Sequence, residues 1–236
     1  LHCSNANTAN EVFQNVLNDR PEIFWCDGNA TSTEYSQSEG QSQYVVIEPN
    51  YLYEGEEKEQ RNQEIESART TCLSGISDLS DEYEKIKYIY TYLIDNVDYD
   101  LDAPDNQNIY SALVGKRSVC AGYAKSCQYL LQQLGIYCIY VTGQTTDPNG
   151  GVADHAWNIV QCNGQYYYVD ATWGDPIFLG EDNGYQIPNL IAYDYLCCSE
   201  KELEKTHMIS TDYVYPSCQS ENLNYYQLNG MYYDTY

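Results

Sequence analysis

Two periods of apolar residues run through the chain, one near 3.6 and one of 2, and together they predict its elements. Residues 9–19, ANEVFQNVLND, read as a helix that Pro21 ends. Segments 30–36 and 43–48 alternate as strands joined by a turn at Ser38-Glu39-Gly40. Residues 54–76 form a charged helix whose buried stripe is Ile65, Ala68, Cys72 and Leu73. In SDEYEKIKYIYTYLIDNV, Tyr83, Ile86, Ile89 or Tyr90, Leu93 and Val97 recur at helical spacing, predicting a core helix with Ser80 as its N-cap. Residues 98–105, DYDLDAPD, break regular structure. They open like a calcium loop, but Ala103 stands where the glycine belongs and Ile109 where the bidentate glutamate belongs. CAGYAKSCQYLLQQLG, 120–135, is a helix closed by Gly135, IYCIYVTG (136–143) is a strand, and 147–151 is a loop. The tail from 176 is loop-rich with short strands, and Asn229-Gly230 signals a hairpin.

The most informative stretch is DHAWNIVQCNGQYYYVDATW, 154–173. Asn163-Gly164 predicts a two-residue type I′ hairpin turn, which needs φ > 0 at both positions. Cys162 then faces Gln165, Trp157 faces Asp170 and His155 faces Thr172. Alternation puts His155, Trp157, Asp170 and Thr172 on one face and Trp173 on the other, in the core. His155 and Asp170 become diagonal neighbours, close enough for an imidazole to hydrogen-bond a carboxylate. Trp157, sharing the face of His155, is expected to wall a cleft.

Helices followed by an antiparallel sheet make this an α+β chain. Its organisation reads as a small N-terminal α+β appendage, 1–77, and a core with a loop-rich tail, 78–236. A net charge of −24 repels phosphate backbones and anionic lipid, which argues against nucleic-acid and membrane-surface partners. No apolar run is long enough to span a bilayer, and no secretory leader is read in the opening residues. The acidic, tyrosine-rich and lysine-poor composition fits a secreted or cell-surface bacterial protein, while ten cysteines fit a reducing cytoplasm equally well. With no CxxC motif and a vicinal Cys197-Cys198, a zinc ribbon or finger is not expected. Neither a metal nor a cofactor is called for.

An imidazole braced by a carboxylate has a catalytic use if a nucleophile meets its other nitrogen. Cys120 is the candidate. It opens a helix, where free N–H groups and the dipole stabilise a thiolate and where its own N–H can hold an oxyanion. His155 then pairs with the thiolate and protonates the leaving amine, and Asp170 orients the ring. Cys127, two turns on, reads as core; His207, in LEKTHMIS, has no similarly placed acid or thiol, and His2 is near the terminus.

VCAGYAKSCQYLLQQLGI, DHAWNIV and YYYVDATWGDP, in that order, resemble the core of the transglutaminase-like superfamily across residues 80–176. The resemblance implies a papain-like α+β fold with a Cys120, His155, Asp170 triad, and an oxyanion-holding side chain before the nucleophile helix, for which Tyr110 is the expected residue. PEIFWCDG and the tail's NYY are similar to accessory regions of bacterial members. Where animal transglutaminases have Gly-Gln-Cys-Trp, this chain has Ser118-Val119-Cys120-Ala121, and the calcium loop, the Arg-Gly-Gly of arylamine acetyltransferases and the zinc module of peptide N-glycanases are not seen. The expected activity is acyl transfer from a peptide or protein amide to Cys120, with release to water, as in a cysteine protease or amidase. Release to an amine, as in a protein-glutamine transglutaminase, stays open, as does a non-catalytic surface-binding module that keeps the fold.

Overall fold

The computed structural model describes residue 3 and residues 5–35, 44–76, 80–146, 150–175 and 191–231. The chain divides into two compact units, Leu1–Glu64 and Ile65–Tyr236. In the first unit, helix α1 (Ala6–Asp19) starts at Asn5, whose side chain accepts from the Thr8 N–H. It packs on an antiparallel pair, β1 (Cys26–Tyr35) and β2 (Tyr44–Tyr51). The turn expected at 38–40 lies outside the described residues. Helix α2 (Gly55–Leu73) buries Ile65 and Cys72 of the expected stripe, while Ala68 and Leu73 are only half-buried.

The second unit holds Cys120, His155 and Asp170. Helix α3 (Glu82–Asn96) buries Tyr83, Ile86, Ile89, Tyr90 and Leu93, the set its period predicts. Its N-cap is Asp81 rather than Ser80: the carboxylate accepts from the Glu84 N–H one turn on and also faces the positive end of the dipole. Residues 98–105 are not wholly irregular, because β3 (Asp98–Tyr99) pairs in parallel with β4 (Arg117–Ser118), and α4 (Ile109–Leu113) lies between them. The chain then enters α5 (Cys120–Gln133), which is buried almost all round and ends just before Gly135, at φ 74°.

Beyond α5 come β5 (Cys138–Thr146), β6 (Val152–Cys162) and β7 (Gln165–Val169). Asn163 and Gly164 take φ 51° and 78°, the positive pair the turn demands, and the register runs from Cys162↔Gln165 to Asn158↔Val169. There the strand stops. Asp170 caps a short helix, α6 (Ala171–Gly174), so the expected alternation does not reach Thr172 and Trp173. The sheet is completed by β8 (Leu196–Cys198) and β9 (His207–Ile209), with α7 (Glu200–Leu203) between them, in the order β8-β7-β6-β5-β9, antiparallel throughout. This is an α+β, papain-like arrangement of a helix that begins at Cys120 on an antiparallel sheet.

In the tail, Tyr225–Leu228 is a helical turn, α8, and not a strand; Asn224 caps it by accepting from the Tyr226 and Gln227 N–H groups. An Asn that can cap overrides the local strand preference of two tyrosines. Gly230, at φ 66°, follows that turn instead of heading a hairpin. All ten cysteines are free thiols. Among the described residues no helix is long and apolar enough to cross a membrane.

Candidate active site

Three elements meet at the site. Asn158 lies in β6 between Trp157 and Ile159, which join Val141 and Tyr168 in a buried cluster, while its own amide reaches the other way. It donates to Ala124 O of α5 at 2.9 Å and to Ile139 O of β5 at 3.2 Å, tying the helix to the sheet. That tie sets the start of α5 beside the start of the apolar part of β6. Cys120 therefore comes to His155, and the imidazole hydrogen-bonds the Cys120 thiol.

Asp170 sits at the end of β7, 1% exposed. Its Oδ1 accepts from the Thr172 and Trp173 N–H groups at 2.9 and 3.2 Å, the capping bonds of α6. Its Oδ2 lies 2.6 Å from His155 Nε2. With Nε2 taken by the carboxylate, the Cys120 sulfur meets the ring at Nδ1.

The electrostatics follow from these bonds. Burial pushes the Asp170 carboxyl up, but the neighbouring imidazoles more than offset it and hold the group well below the usual carboxylate range. Burial likewise pulls His155 down, and the Asp170 charge and the Cys120 sulfur reverse the sign, raising its pKa to about 10. A cationic ring between a carboxylate and a thiol is thus the stable state at neutral pH. Cys120 itself is half-buried and lines a cleft of about 750 Å³, together with His155, Tyr140, Gly143, Asp154 and Ile209.

Trp157 is wholly buried and backs the imidazole, ring centroids 5.8 Å apart, so it supports the cleft from behind instead of walling it. Trp173 also reaches His155, at 6.3 Å, because the turn into α6 carries it round from the face that alternation assigned. Tyr110 is half-buried on α4 and is not among the residues lining the cleft. The hydroxyl beside Cys120 belongs to Tyr99 of β3, which accepts from the Cys120 backbone N–H.

His207 is the functional candidate that sequence reasoning passed over. Its Nε2 lies 3.0 Å from the same Asp170 Oδ2, and the ring is 1% exposed. It has an acid partner after all, delivered by β9 pairing at the far edge of the sheet, where Thr145 faces His207. A partner 37 residues away on a three-residue strand leaves no local pattern to read. His155, Asp170 and His207 also have ligand atoms within 4.8 Å of one another, a donor set a metal could use. Here both Nε2 atoms are engaged with the one carboxylate oxygen.

Residues 69–171 match the family model described as the transglutaminase-like superfamily. The kyphoscoliosis peptidase of Mus musculus is 27% identical over 128 residues, covering 46% of this chain and 19% of that protein. Its Homo sapiens counterpart is 28% identical over 131 residues, covering 47% and 20%. The matched stretch thus spans about a fifth of these relatives' length. Among solved structures, a TGase aligns over 66% of this chain and 47% of its own at 13% identity, with a TM-score of 0.42. The periplasmic domain of TgpA from Pseudomonas aeruginosa aligns over 56% and 55% at 16% identity, with a TM-score of 0.37.

Proposed function

Since residues 69–171 belong to the transglutaminase-like superfamily, we propose that this chain is a thiol enzyme that cleaves peptide or protein amides through an acyl-Cys120 intermediate. The observation that carries the reading is the position of His155, bonded on one side to buried Asp170 and on the other to the Cys120 thiol at the edge of an open cleft.

The Cys120 thiolate attacks the amide carbonyl, and the developing oxyanion takes over the Cys120 N–H from the Tyr99 oxygen at the start of α5. Burial pushes the Tyr99 phenol up, so its hydroxyl keeps its proton and can turn it towards the same oxygen. His155, charged at neutral pH, gives its Nδ1 proton to the departing amine, the C–N bond breaks and a thioester remains. The neutral ring then takes a proton from water, hydroxide adds to the thioester, and collapse returns the thiolate and imidazolium with release of the acid. Asp170 holds the ring in register throughout.

Release to water is favoured by the relatives' description as peptidases. The test is incubation with glutamine-bearing and plain peptides, with and without a primary amine, alongside C120A. Amide hydrolysis that C120A abolishes supports the proposal. Amine incorporation in place of hydrolysis would make the enzyme a transglutaminase, and no reaction with any amide would remove the catalytic reading.

A further inference from the structure

Asp170 Oδ2 is shared between two imidazoles, and the second is as firmly built as the first. His207 Nε2 lies 3.0 Å from that oxygen, and since a carboxylate only accepts, this nitrogen carries a proton. On the other side of the ring, Nδ1 lies 2.8 Å from Thr206 Oγ1, which is itself 2.8 Å from the Tyr195 hydroxyl. Burial pushes the Tyr195 phenol up to about 12, so Tyr195 can donate to Thr206, and the single Thr206 hydrogen has Nδ1 at 2.8 Å as a nearer acceptor than Leu203 O at 3.5 Å. The ring is clamped by Trp157, Trp173 and Tyr195 at centroid distances of 5.0, 4.8 and 5.1 Å. The His155 and His207 centroids are 5.5 Å apart, so two imidazolium charges there would face each other across a single carboxylate.

We propose that His207 is a positioning residue of this site, a neutral imidazole that donates Nε2–H to Asp170 Oδ2 and so divides that carboxylate between two histidines. The inference rests on the thiol-enzyme reading and adds a control to it. A second donor pins Asp170, and through it His155, against rotation. It also takes part of the carboxylate's charge, so that His155 is held less tightly than a sole partner would be and can release its proton to the leaving amine. The other titratable groups that sense Asp170, namely Tyr90, Tyr99, Tyr195 and Cys198, are each pushed up by burial and stay neutral over the working range. The charge shared by the two rings is therefore that of Asp170, and the Cys120 sulfur stands beside His155.

The test uses H207F, which keeps a ring but has no donor, and H207Q, whose amide can reach Asp170 with an N–H. Turnover in H207F should fall about ten- to a hundred-fold with little change in KM. The alkaline limit of turnover should move up by about one pH unit, because losing a hydrogen bond to a charged group restores the full pull on His155, the proton donor to the leaving amine. H207Q should recover most of the rate and return the limit to its wild-type position. In the wild-type protein, nitrogen-15 NMR of the histidine rings should show His207 neutral at pH 7 with its proton on Nε2. A His207 that is imidazolium, or that carries its proton only on Nδ1, overturns the proposal whatever the variants do. So does a folded H207F with unchanged turnover and an unchanged alkaline limit of turnover, where wild-type Cys120 reacts fast. A wild-type Cys120 that reacts no faster than a free thiol overturns the functional reading and this inference with it.

Discussion

The side-chain amide of Asn158 donates to the carbonyl of Ala124 at 2.9 Å, joining the strand that carries His155 to the helix that carries Cys120. The two residues lie 34 positions apart, and the bond is buried. The same amide also serves Ile139 O, so one side chain holds α5, β5 and β6 in a common frame.

Asn158→Ala should therefore cost about 1–3 kcal/mol, the desolvation penalty of carbonyls left without their donor. It should also slow Cys120 alkylation under conditions where the variant is fully folded, because the frame between helix and strand loosens. Denaturant melts and alkylation rates on the same preparation check both. A variant as stable and as reactive as wild type would show that packing alone sets the distance.

The charge state of the pair gives a pH prediction. His155 is raised from 6.5 to about 10 in the fold, so its contribution to stability is complete below about 6.5 and is lost as pH rises through about 10. Asp170 is lowered from 3.8, so its contribution is present above about 4 and is lost as pH falls through its folded value. The stability difference between wild type and D170N should be widest from about pH 4 to 6.5 and should shrink on either side, as read by thermal melts. Asn keeps the cap of α6, since Asn and Asp cap equally well, so the comparison removes the charge and the Oδ2 acceptor of the two imidazoles without removing the cap. Turnover in D170N should fall by about 10³-fold or more, and its alkaline limb should drop from near 10 towards the ordinary histidine value of 6.5. An unmoved limb would mean that Asp170 does not set the charge of His155.

Gly143 faces Ile209 where β9 joins the sheet. A Cβ there would sit 2.2 Å from Met208 O and 2.6 Å from Trp157 Cη2, and neither a strand carbonyl nor a buried indole can yield cheaply. G143A should cost about 1–3 kcal/mol in urea melts through overpacking. By displacing β9 it should also reproduce part of the H207F effect on turnover. Wild-type stability in G143A would show that β9 docks with slack.

The hairpin was legible because its information is local: two residues that accept positive φ fix the register, and the register brings His155 to Asp170. The core face of α3 was legible for the same reason, with period and burial agreeing at Tyr83, Ile86, Ile89, Tyr90 and Leu93. What escaped depends on where the chain leaves regular structure or on contacts between distant segments. Trp173 was assigned to the wrong face because Asp170 stops the strand by capping a helix. Tyr99, and not Tyr110, meets the Cys120 N–H because a two-residue parallel pairing sets β3 against β4. His207 reaches Asp170 only through the edge pairing of β9, and the α8 turn displaced an expected strand because Asn224 could cap it.

The most direct measurement is the rate of Cys120 alkylation by iodoacetamide at pH 6, followed by mass spectrometry at each of the ten cysteines, in wild type and H155A. An imidazolium-paired thiolate predicts rapid, stoichiometric modification of Cys120 in wild type, with the rapid phase gone in H155A. Reaction of wild-type Cys120 at the pace of an ordinary free thiol, unaltered by H155A, would contradict the account and leave the fold as a binding module.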